Sequence, residues 1–229
     1  MRSGRVQSLR QVWSAAAVLF MAACGGTAPS AEPVPAPAAP RPAPPRQDSA
    51  TTMVPAGYGT LRQEDVAIRM QVGQVQVRAI PLDESVIRVL APDSYRSLHG
   101  LRESRRDAIE RLAGRYLLRE RNVWLVSFYG LAPDARFSPS ELTLTVSGRD
   151  YRPLEVLPLS AGFGEQRLQQ HETQTALYLF PDGVNLSQPL TARMENAQDG
   201  SWAETLRRID QERALIRGRA SRGAMQPDG

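Results

Sequence analysis

The sequence predicts a mainly β fold: an antiparallel β-sandwich of immunoglobulin-like type with a helical insertion and a C-terminal amphipathic helix. Roughly seven to nine short segments have strand-like patterns separated by turn signals, as expected of such a sandwich. Helical spacing is confined to two stretches, at about 93–118 and 199–217. The strands therefore do not alternate with helices as they do around a parallel sheet. An α+β domain with the helix near Leu101 packed across one open sheet is the alternative.

The first strands follow a period of two. Apolar and polar residues alternate over 66–72 and again over 75–78, which is typical of strands with one wet face. Gly73-Gln74 between them suits a tight hairpin. The run 86–90 predicts a third strand, because it is rich in β-branched residues and follows a turn-like segment.

The segment 93–118 is predicted to be a helical insertion in the β domain. Over 101–118 apolar residues recur at helical spacing, and arginines and carboxylates fill most of the intervening positions. We predict one helix there, with Ser94 as the N-cap of a short helical turn before it. An insertion of this size is expected to cover one end or edge of a sheet.

Strands resume after the insertion. Residues 123–129 are apolar on both faces, which predicts a central strand. Further strand patterns lie at 142–146, 152–157, 175–180 and 190–194. Turn signals that contain glycine or proline separate them, so the predicted β domain spans 55–198.

Residues 199–217 form the predicted C-terminal helix. One face is marked by four large apolar side chains, namely Trp202, Leu206, Ile209 and Ile216. Ser201 is a suitable N-cap, and Glu204 three residues later completes a capping-box pattern. We predict that this helix docks on the sandwich, and a helix held out for a partner is the alternative. The tail 218–229 is small and polar and is predicted to be disordered.

Residues 1–23 have the organisation of an export signal. Arg2, Arg5 and Arg10 form a positive region without an acidic residue, and 12–23 is apolar except for one serine. This apolar run is too short to cross a bilayer, which takes about 20 residues. We therefore predict that the segment is removed.

The apolar run ends in Met21-Ala22-Ala23-Cys24, which resembles the lipobox of bacterial lipoproteins. The resemblance implies cleavage between Ala23 and Cys24 and attachment of a diacylglyceryl group to the Cys24 thiol. Met21 departs from the leucine that is commonest there but keeps a bulky apolar side chain. Each buried CH₂ contributes about 0.8 kcal/mol, so two or three acyl chains anchor a protein in the membrane almost permanently. Gly25, where an aspartate would retain the product in the inner membrane, implies the outer membrane by the same resemblance.

Residues 24–54 are predicted to be the lipidated cysteine and an extended, disordered linker. The segment is rich in alanine and proline, and its prolines are Pro29, Pro33, Pro35, Pro37, Pro40, Pro42, Pro44 and Pro45. Proline fixes φ and removes an N–H donor, which favours polyproline II at about 3.1 Å per residue. A plain stalk is the favoured interpretation, and a proline-rich ligand for a partner is the alternative.

Composition excludes several chemistries. The 28 basic residues are all arginine, which rules out Schiff bases, P-loop lysines and Ser-Lys pairs. A single cysteine that is already acylated leaves no disulfide and no cysteine-based metal site. The net charge of +4 includes three arginines of the signal, so the mature chain is nearly neutral and nucleic-acid binding is not expected. No cofactor is implied.

The sequence contains no recognisable catalytic or metal-binding motif. His99 and His171 are too far apart along the chain for a paired-ligand motif, and each is interpreted as a surface or hydrogen-bonded histidine. Guanidinium and aromatic groups are favoured at binding surfaces. They come together in one tract as a possible binding surface: Arg149, Tyr151, Arg152 and Arg167. Ordinary ion pairs at a sandwich edge are the alternative interpretation.

These observations predict a non-enzymatic lipoprotein of the cell envelope, tethered through Cys24. It would bind a protein or an envelope polymer, or support an envelope assembly, with periplasmic and cell-surface orientations both open. The alternative is an envelope hydrolase that acts on glycans or peptides through carboxylates from separate loops, which requires two such groups about 5 to 10 Å apart in a cleft.

Overall fold

The computed structural model describes residues 53–224. The predicted signal, the cleavage site at Ala23 and Cys24, and nearly all of the predicted linker lie outside the described residues. So do the last five residues of the predicted tail.

The described chain forms eleven strands and four α-helices. The strands are β1 Ile68–Val72, β2 Val75–Pro81, β3 Asn122–Gly130, β4 Ala135–Arg136, β5 Thr143–Val146, β6 Arg149–Tyr151, β7 Glu155–Pro158, β8 Arg167–Leu168, β9 Thr173–Phe180, β10 Leu190–Met194 and β11 Ala197–Asp199. The helices are α1 Glu84–Ile87, α2 Pro92–Ser104, α3 Arg106–Arg115 and α4 Trp202–Ala224.

The strands form two main antiparallel sheets. The five-stranded sheet has the order β1-β2-β3-β9-β7, and the four-stranded sheet has the order β11-β10-β5-β6. A small third sheet pairs β4 with β8. The prediction of a mainly β, antiparallel fold with a C-terminal helix is confirmed, and β3 is central as its apolar pattern predicted.

The immunoglobulin-like type of the sandwich stays a prediction. In that fold the two sheets have the orders ABED and CFG, in which no three consecutive strands are neighbours. Here β1, β2 and β3 follow one another in the chain and lie side by side in one sheet.

One face of the five-stranded sheet, the inner face, packs into a core shared with the other sheet and α4. Trp124 on this face lies 6.1 Å from Trp202 of α4 and 6.2 Å from Phe180, measured between ring centroids. The same buried cluster includes Leu144 of β5 and Ala192 of β10. A single apolar core therefore connects both sheets and the terminal helix.

The opposite, outer face of this sheet is apolar in one half. The register places Ile80, Leu125 and Leu177 side by side on it, and all three are buried. The helical insertion covers this half, because Arg102 of α2 donates to the Leu82 carbonyl at 2.8 Å and the Tyr116 hydroxyl after α3 donates to the β7 carboxylate of Glu155 at 2.9 Å. The alternative expectation of a helix across a sheet is thus realised locally, within a mainly β fold.

The strand predicted at 86–90 is wrong. The chain forms the short helix α1 there, because Asp83 caps it by accepting a hydrogen bond from the Ser85 N–H at 2.8 Å. Val86, Ile87 and the two apolar residues that follow are all buried. A short run in which nearly every apolar side chain is buried does not distinguish strand from helix by its periodicity.

The single helix predicted over 101–118 is also wrong in its bounds. The helix α2 begins at Pro92, a favoured first position, so Ser94 lies inside it and is not its cap. Arg105, at φ −113° and ψ 7°, then interrupts the helix before α3 begins. The chain can turn at this break, and both Leu98 and Ile109 reach the core.

The strand predicted at 152–157 forms only from Glu155, as β7. β6 ends at Tyr151 in the four-stranded sheet and β7 begins at Glu155 in the five-stranded sheet. Pro153 lies between them, where its missing N–H removes a possible ladder hydrogen bond. Strands β4, β6, β8 and β11 were not predicted, because two or three residues are too few to show a period.

The C-terminal helix docks on the domain, as predicted. Trp202, Ile209 and Ile216 recur every seven residues and are fully buried. The helix extends to Ala224, past the predicted start of a disordered tail at 218. Arg219 accounts for part of the extension, because its guanidinium donates to the Glu212 carboxylate at 2.7 Å.

Acid is expected to destabilise the docking of α4 through Glu212. Burial raises the pKa of this carboxyl, but hydrogen bonds from Arg219 and Thr60 more than offset it and leave the pKa below 4.5. Because the folded pKa lies below the unfolded pKa, the stabilisation is present above about pH 4.5 and is lost as the pH falls through the folded value. Urea unfolding between pH 7 and pH 3 should show a smaller loss of stability for Glu212→Gln than for the wild type. An equal loss of the free energy of unfolding in the two proteins between pH 7 and pH 3 would contradict this.

Removing the Tyr178 hydroxyl is expected to stabilise the fold. Its oxygen is buried without a hydrogen-bond partner, and burial raises the pKa of this phenol. An unpaired buried hydroxyl costs about 1 to 3 kcal/mol, so Tyr178→Phe should raise the free energy of unfolding by about 1 kcal/mol in urea titration. A loss of that size instead would mean that the hydroxyl has a partner, such as a buried water.

Candidate functional site

An open groove of about 1160 Å³ lies beside the C-terminal helix. We call it the α4 groove, because one face of that helix forms a wall. Five segments line it together with α4. They are 53–54, 83–85, 120–122, the region of Val146, Ser147 and Tyr151, and 183–188, and α4 contributes Asp210, Arg213 and Arg217. Most of these side chains carry amide, hydroxyl or charged groups.

The docking of α4 places its charged residues in the groove. Burial of Ile209 and Ile216 fixes the rotation of the helix. Asp210, Arg213 and Arg217 then follow at spacings of three and four, which put them on one neighbouring face. The Arg213 guanidinium donates to Asp210 at 2.7 Å and to the Ser85 carbonyl at 2.7 Å. Arg213 therefore ties α4 to α1 across the end of the groove.

The loop 183–188 between β9 and β10 forms the opposite wall and is held at several points. The Asn185 side chain accepts a hydrogen bond from the Ser187 N–H at 2.8 Å, which is an Asx turn. Gln188 accepts from the Ser147 hydroxyl at 2.7 Å. The indole N–H of Trp202 donates to the Leu186 carbonyl at 3.0 Å. These bonds preorganise the wall before any ligand arrives.

A glycine is required where this loop approaches Tyr151. Gly183 has φ +100°, a region that other residues rarely adopt. A Cβ atom there would also lie 3.0 Å from the Tyr151 hydroxyl oxygen. The tyrosine ring can therefore lie against the loop backbone at the floor of the groove.

The carboxylate of Asp182 holds a third wall of the groove, which is the segment that leads into β3. The backbone N–H groups of Arg119 and Glu120 both donate to Asp182, at 3.0 and 2.9 Å. These hydrogen bonds lower the pKa of Asp182, so this carboxylate stays ionised well into the acid range. Arg121 beside them is held by Glu110 at 2.8 Å.

A smaller cavity of about 310 Å³ adjoins the groove, and Glu84 and Arg121 line both. In it, Glu84 accepts hydrogen bonds from Arg88 Nε at 2.6 Å and pairs with His99 Nδ1 at 2.8 Å. Burial raises the pKa of Glu84, but the bonds from Arg88 and His99 outweigh it and lower the pKa overall. The His99 ring stacks on Tyr95, with centroids 5.1 Å apart.

The two histidines are hydrogen-bonded, as the sequence predicted. His99 pairs with Glu84, and His171 Nδ1 lies 2.5 Å from the Tyr129 hydroxyl. Across residues 53–222, no three His, Cys, Asp or Glu side chains come together in the way that a metal site needs. Within residues 53–224, no helix combines the length and the apolar content that a membrane crossing would need.

The structure separates the four residues of the possible binding surface. Arg149 and Tyr151 lie on β6, and Tyr151 is the one of the four that lines the α4 groove. Arg152 is exposed after β6. Arg167 belongs to the small sheet and pairs with Asp134 at 2.6 Å. Sequence proximity had joined residues that the fold distributes over two sheets.

The groove residues on α4 and around α1 were missed from the sequence. Asp210, Arg213 and Arg217 were visible only as charged residues off the apolar face of the helix. Asp83 and Ser85 lie just before the run that was wrongly predicted as a strand, and no pattern marked them as groove residues. The amphipathic pattern of α4 was the one available signal. It shows that the helix has a polar side, but it does not show which residues that side contacts.

The architecture and the site together define a mainly β domain with a polar, open groove beside its terminal helix. No protein-family model, no curated protein and no solved structure matches the chain.

Proposed function

We propose that this protein is a lipid-anchored, extracytoplasmic binding module of the cell envelope. It takes a polar segment of a protein or an envelope polymer into the α4 groove, or holds it for an assembly. The anchor is Cys24 at the end of the apolar run, with the outer membrane as its address, and residues 24–54 act as the spacer. The single observation that carries the binding function is the groove itself, which is open and has walls held by hydrogen bonds.

The lining supports a polar ligand. The side-chain amides of Asn122, Asn185 and Gln188 can donate and accept hydrogen bonds, and both signs of charge are present. Pockets for apolar small molecules are mostly lined by apolar and aromatic side chains. This groove has few such side chains. An extended chain of hydroxyl, amide or zwitterionic groups would satisfy it better.

The second candidate function is a hydrolase, because the groove holds carboxylates from separate segments: Asp83, Glu84, Glu120 and Asp210. A carboxyl that donates a proton to a leaving group needs a raised pKa. The pKa of Glu84 is lowered instead, Asp83 accepts from Ser85 as a helix cap, and Asp210 is paired with Arg213. Because these carboxylates are already engaged in hydrogen bonds and ion pairs, the groove favours binding over hydrolysis.

A charge reversal in the groove should abolish ligand capture. We expect Arg217→Glu to lower retention of the ligand by at least about tenfold, since a repulsive charge replaces an attractive one. The matched control is Arg207→Glu on the same helix, which lies outside the groove and has a 72 % exposed side chain. Both proteins should be tested with purified peptidoglycan and with detergent-solubilised envelope, and bound material quantified after washing. Equal retention by both variants, or no retention by the wild type, would overturn the proposal.

A further inference from the structure

The outer face of the five-stranded sheet is polar where the helical insertion leaves it uncovered. Six side chains line a shallow cavity of about 360 Å³ there, and all six can form hydrogen bonds: Arg69, Gln76, Arg78, Ser127, Tyr129 and Thr173. We call this surface the arginine face. Its lining includes two positive charges and no carboxylate.

The register of β1 and β2 sets two like charges against each other. Arg69 is directly opposite Arg78, where Cβ atoms lie about 4.5 to 5.5 Å apart and like charges destabilise the pair. One residue at the rim, Glu64, interacts with both guanidinium groups. Its carboxylate is 3.5 Å from Arg78, and its backbone carbonyl accepts from Arg69 at 3.2 Å. The Glu64 side chain is 54 % exposed, so this compensation is weak.

Such an arrangement costs stability in the unoccupied domain. Violations of the local rules of pairing concentrate at functional sites, where a ligand supplies what the protein lacks. The two guanidinium groups share one carboxylate, that of Glu64, which is half exposed and contacts only Arg78. Each presents a planar fork of donors that matches the two oxygens of a carboxylate.

Tyr129 adds a flat ring beside the arginine pair. The register aligns Gln76 with Tyr129 and Arg78 with Ser127 on adjacent strands. Tyr129 is therefore on the same face as Arg78 and two residues further along β3 than the position opposite it. His171 holds the ring in place through the 2.5 Å contact with its hydroxyl. A fixed aromatic ring offers an apolar surface for a sugar ring to pack on, with its hydroxyl at the wet edge.

The arginine face does not suit an added peptide strand. β2, β3 and β9 each pair with a neighbour on both sides, so their backbone groups have no free edge for a peptide to extend. β1 is an edge strand, but the backbone N–H of Arg69 on it already donates to the Asp199 carboxylate at 3.0 Å. Recognition at this surface must come from side chains. Amide and hydroxyl groups of Gln76, Ser127 and Thr173 suit a ligand that is itself rich in hydroxyl groups.

We propose that the arginine face binds an acidic polysaccharide, with carboxylates of its uronate residues on Arg69 and Arg78 and a sugar ring against Tyr129. This site is separate from the α4 groove and does not rest on the function proposed for it. It would give the domain a contact with a polymer of the cell surface beside its other ligand.

The test compares polygalacturonate with the same polymer after methyl esterification, which keeps the sugar and removes the charge. Binding to the full chain in detergent micelles can be followed by affinity electrophoresis at low salt. We expect the acid form to bind at least about tenfold more tightly than the ester, and Arg69→Gln/Arg78→Gln to lose that preference. Binding should weaken in 0.5 M salt, because exposed charges are screened.

The double variant should remain folded, because it removes a like-charge pair. Its thermal midpoint is expected to equal or exceed that of the wild type, so that lost binding is not lost structure. The matched control is Arg96→Gln/Arg111→Gln, which removes two exposed arginines from α2 and α3 and should bind within about twofold of the wild type. Equal affinity for acid and ester, wild-type affinity in the double variant, or equal affinity for poly-glutamate would each overturn the assignment to an acidic polysaccharide.

Discussion

Replacing Cys24 by serine is expected to abolish fatty-acid labelling of the protein. A hydroxyl is a much weaker nucleophile than a thiol, so the diacylglyceryl group cannot be attached. The acyl chains supply almost all of the predicted membrane affinity, since each buried CH₂ contributes about 0.8 kcal/mol. Labelled palmitate in whole cells, followed by fractionation and measurement of the apparent mass, reads out the anchor directly.

The control for this experiment is Ser49→Ala, which changes a hydroxyl in the predicted linker and should keep the label and the membrane fraction. A Cys24→Ser protein with the wild-type label, mass and fraction would remove the basis for the envelope address. The α4 groove and the arginine face could still be tested in that case, because neither depends on how the domain is held.

Truncating Trp202 should have the largest effect on the folded domain. Its ring is fully buried against Trp124, and its N–H satisfies the Leu186 carbonyl. A buried tryptophan replaced by alanine leaves a cavity and costs about 3 to 5 kcal/mol. We expect Trp202→Ala to lower the free energy of unfolding in urea by that amount, a large share of the 5 to 15 kcal/mol typical of a domain.

The same change should loosen the groove before it unfolds the domain. The loop 183–188 loses its bond to the helix, so hydrogen exchange at Ser187 and Gln188 should accelerate more than exchange in β3. Trp202→Phe keeps most of the packing and should lie between the two proteins in stability. Arg207→Ala, on the exposed side of α4, should change stability by less than about 0.5 kcal/mol. A loss of less than about 1 kcal/mol for Trp202→Ala would mean that α4 is not part of the core.

Long elements with a clear period could be predicted from the sequence. β2, β3 and β9 alternate or are continuously apolar over seven to nine residues, and α4 repeats a buried residue every seven positions. Such patterns report directly which side of an element leaves water. The run 86–90 has no such contrast, because four of its five side chains are buried, and there the capping hydrogen bond of Asp83 decided for a helix.

The candidate sites could not be predicted, for a related reason. The α4 groove combines a helix face with loops more than 100 residues away in the chain, such as Ser85 against Arg213. The arginine face depends on Arg69 meeting Arg78, which follows from the hairpin register, and on Tyr129, which follows from the pairing of β2 with β3. The tract that contained Arg149 and Arg167 looked like a surface in sequence and was split by the crossing of the chain between sheets.

The amino-acid sequence by itself determined the segmental character of the chain: an apolar run that ends at its single cysteine, a proline-rich stretch, a mainly β domain and an amphipathic terminal helix. Each of these follows from local composition or periodicity. The tertiary structure alone decided which polar side chains face one another, because that depends on register, on helix rotation and on crossings between sheets. Register, helix rotation and sheet crossings are fixed by the burial of one shared apolar core. The α4 groove and the arginine face lie where this packing brings polar side chains together.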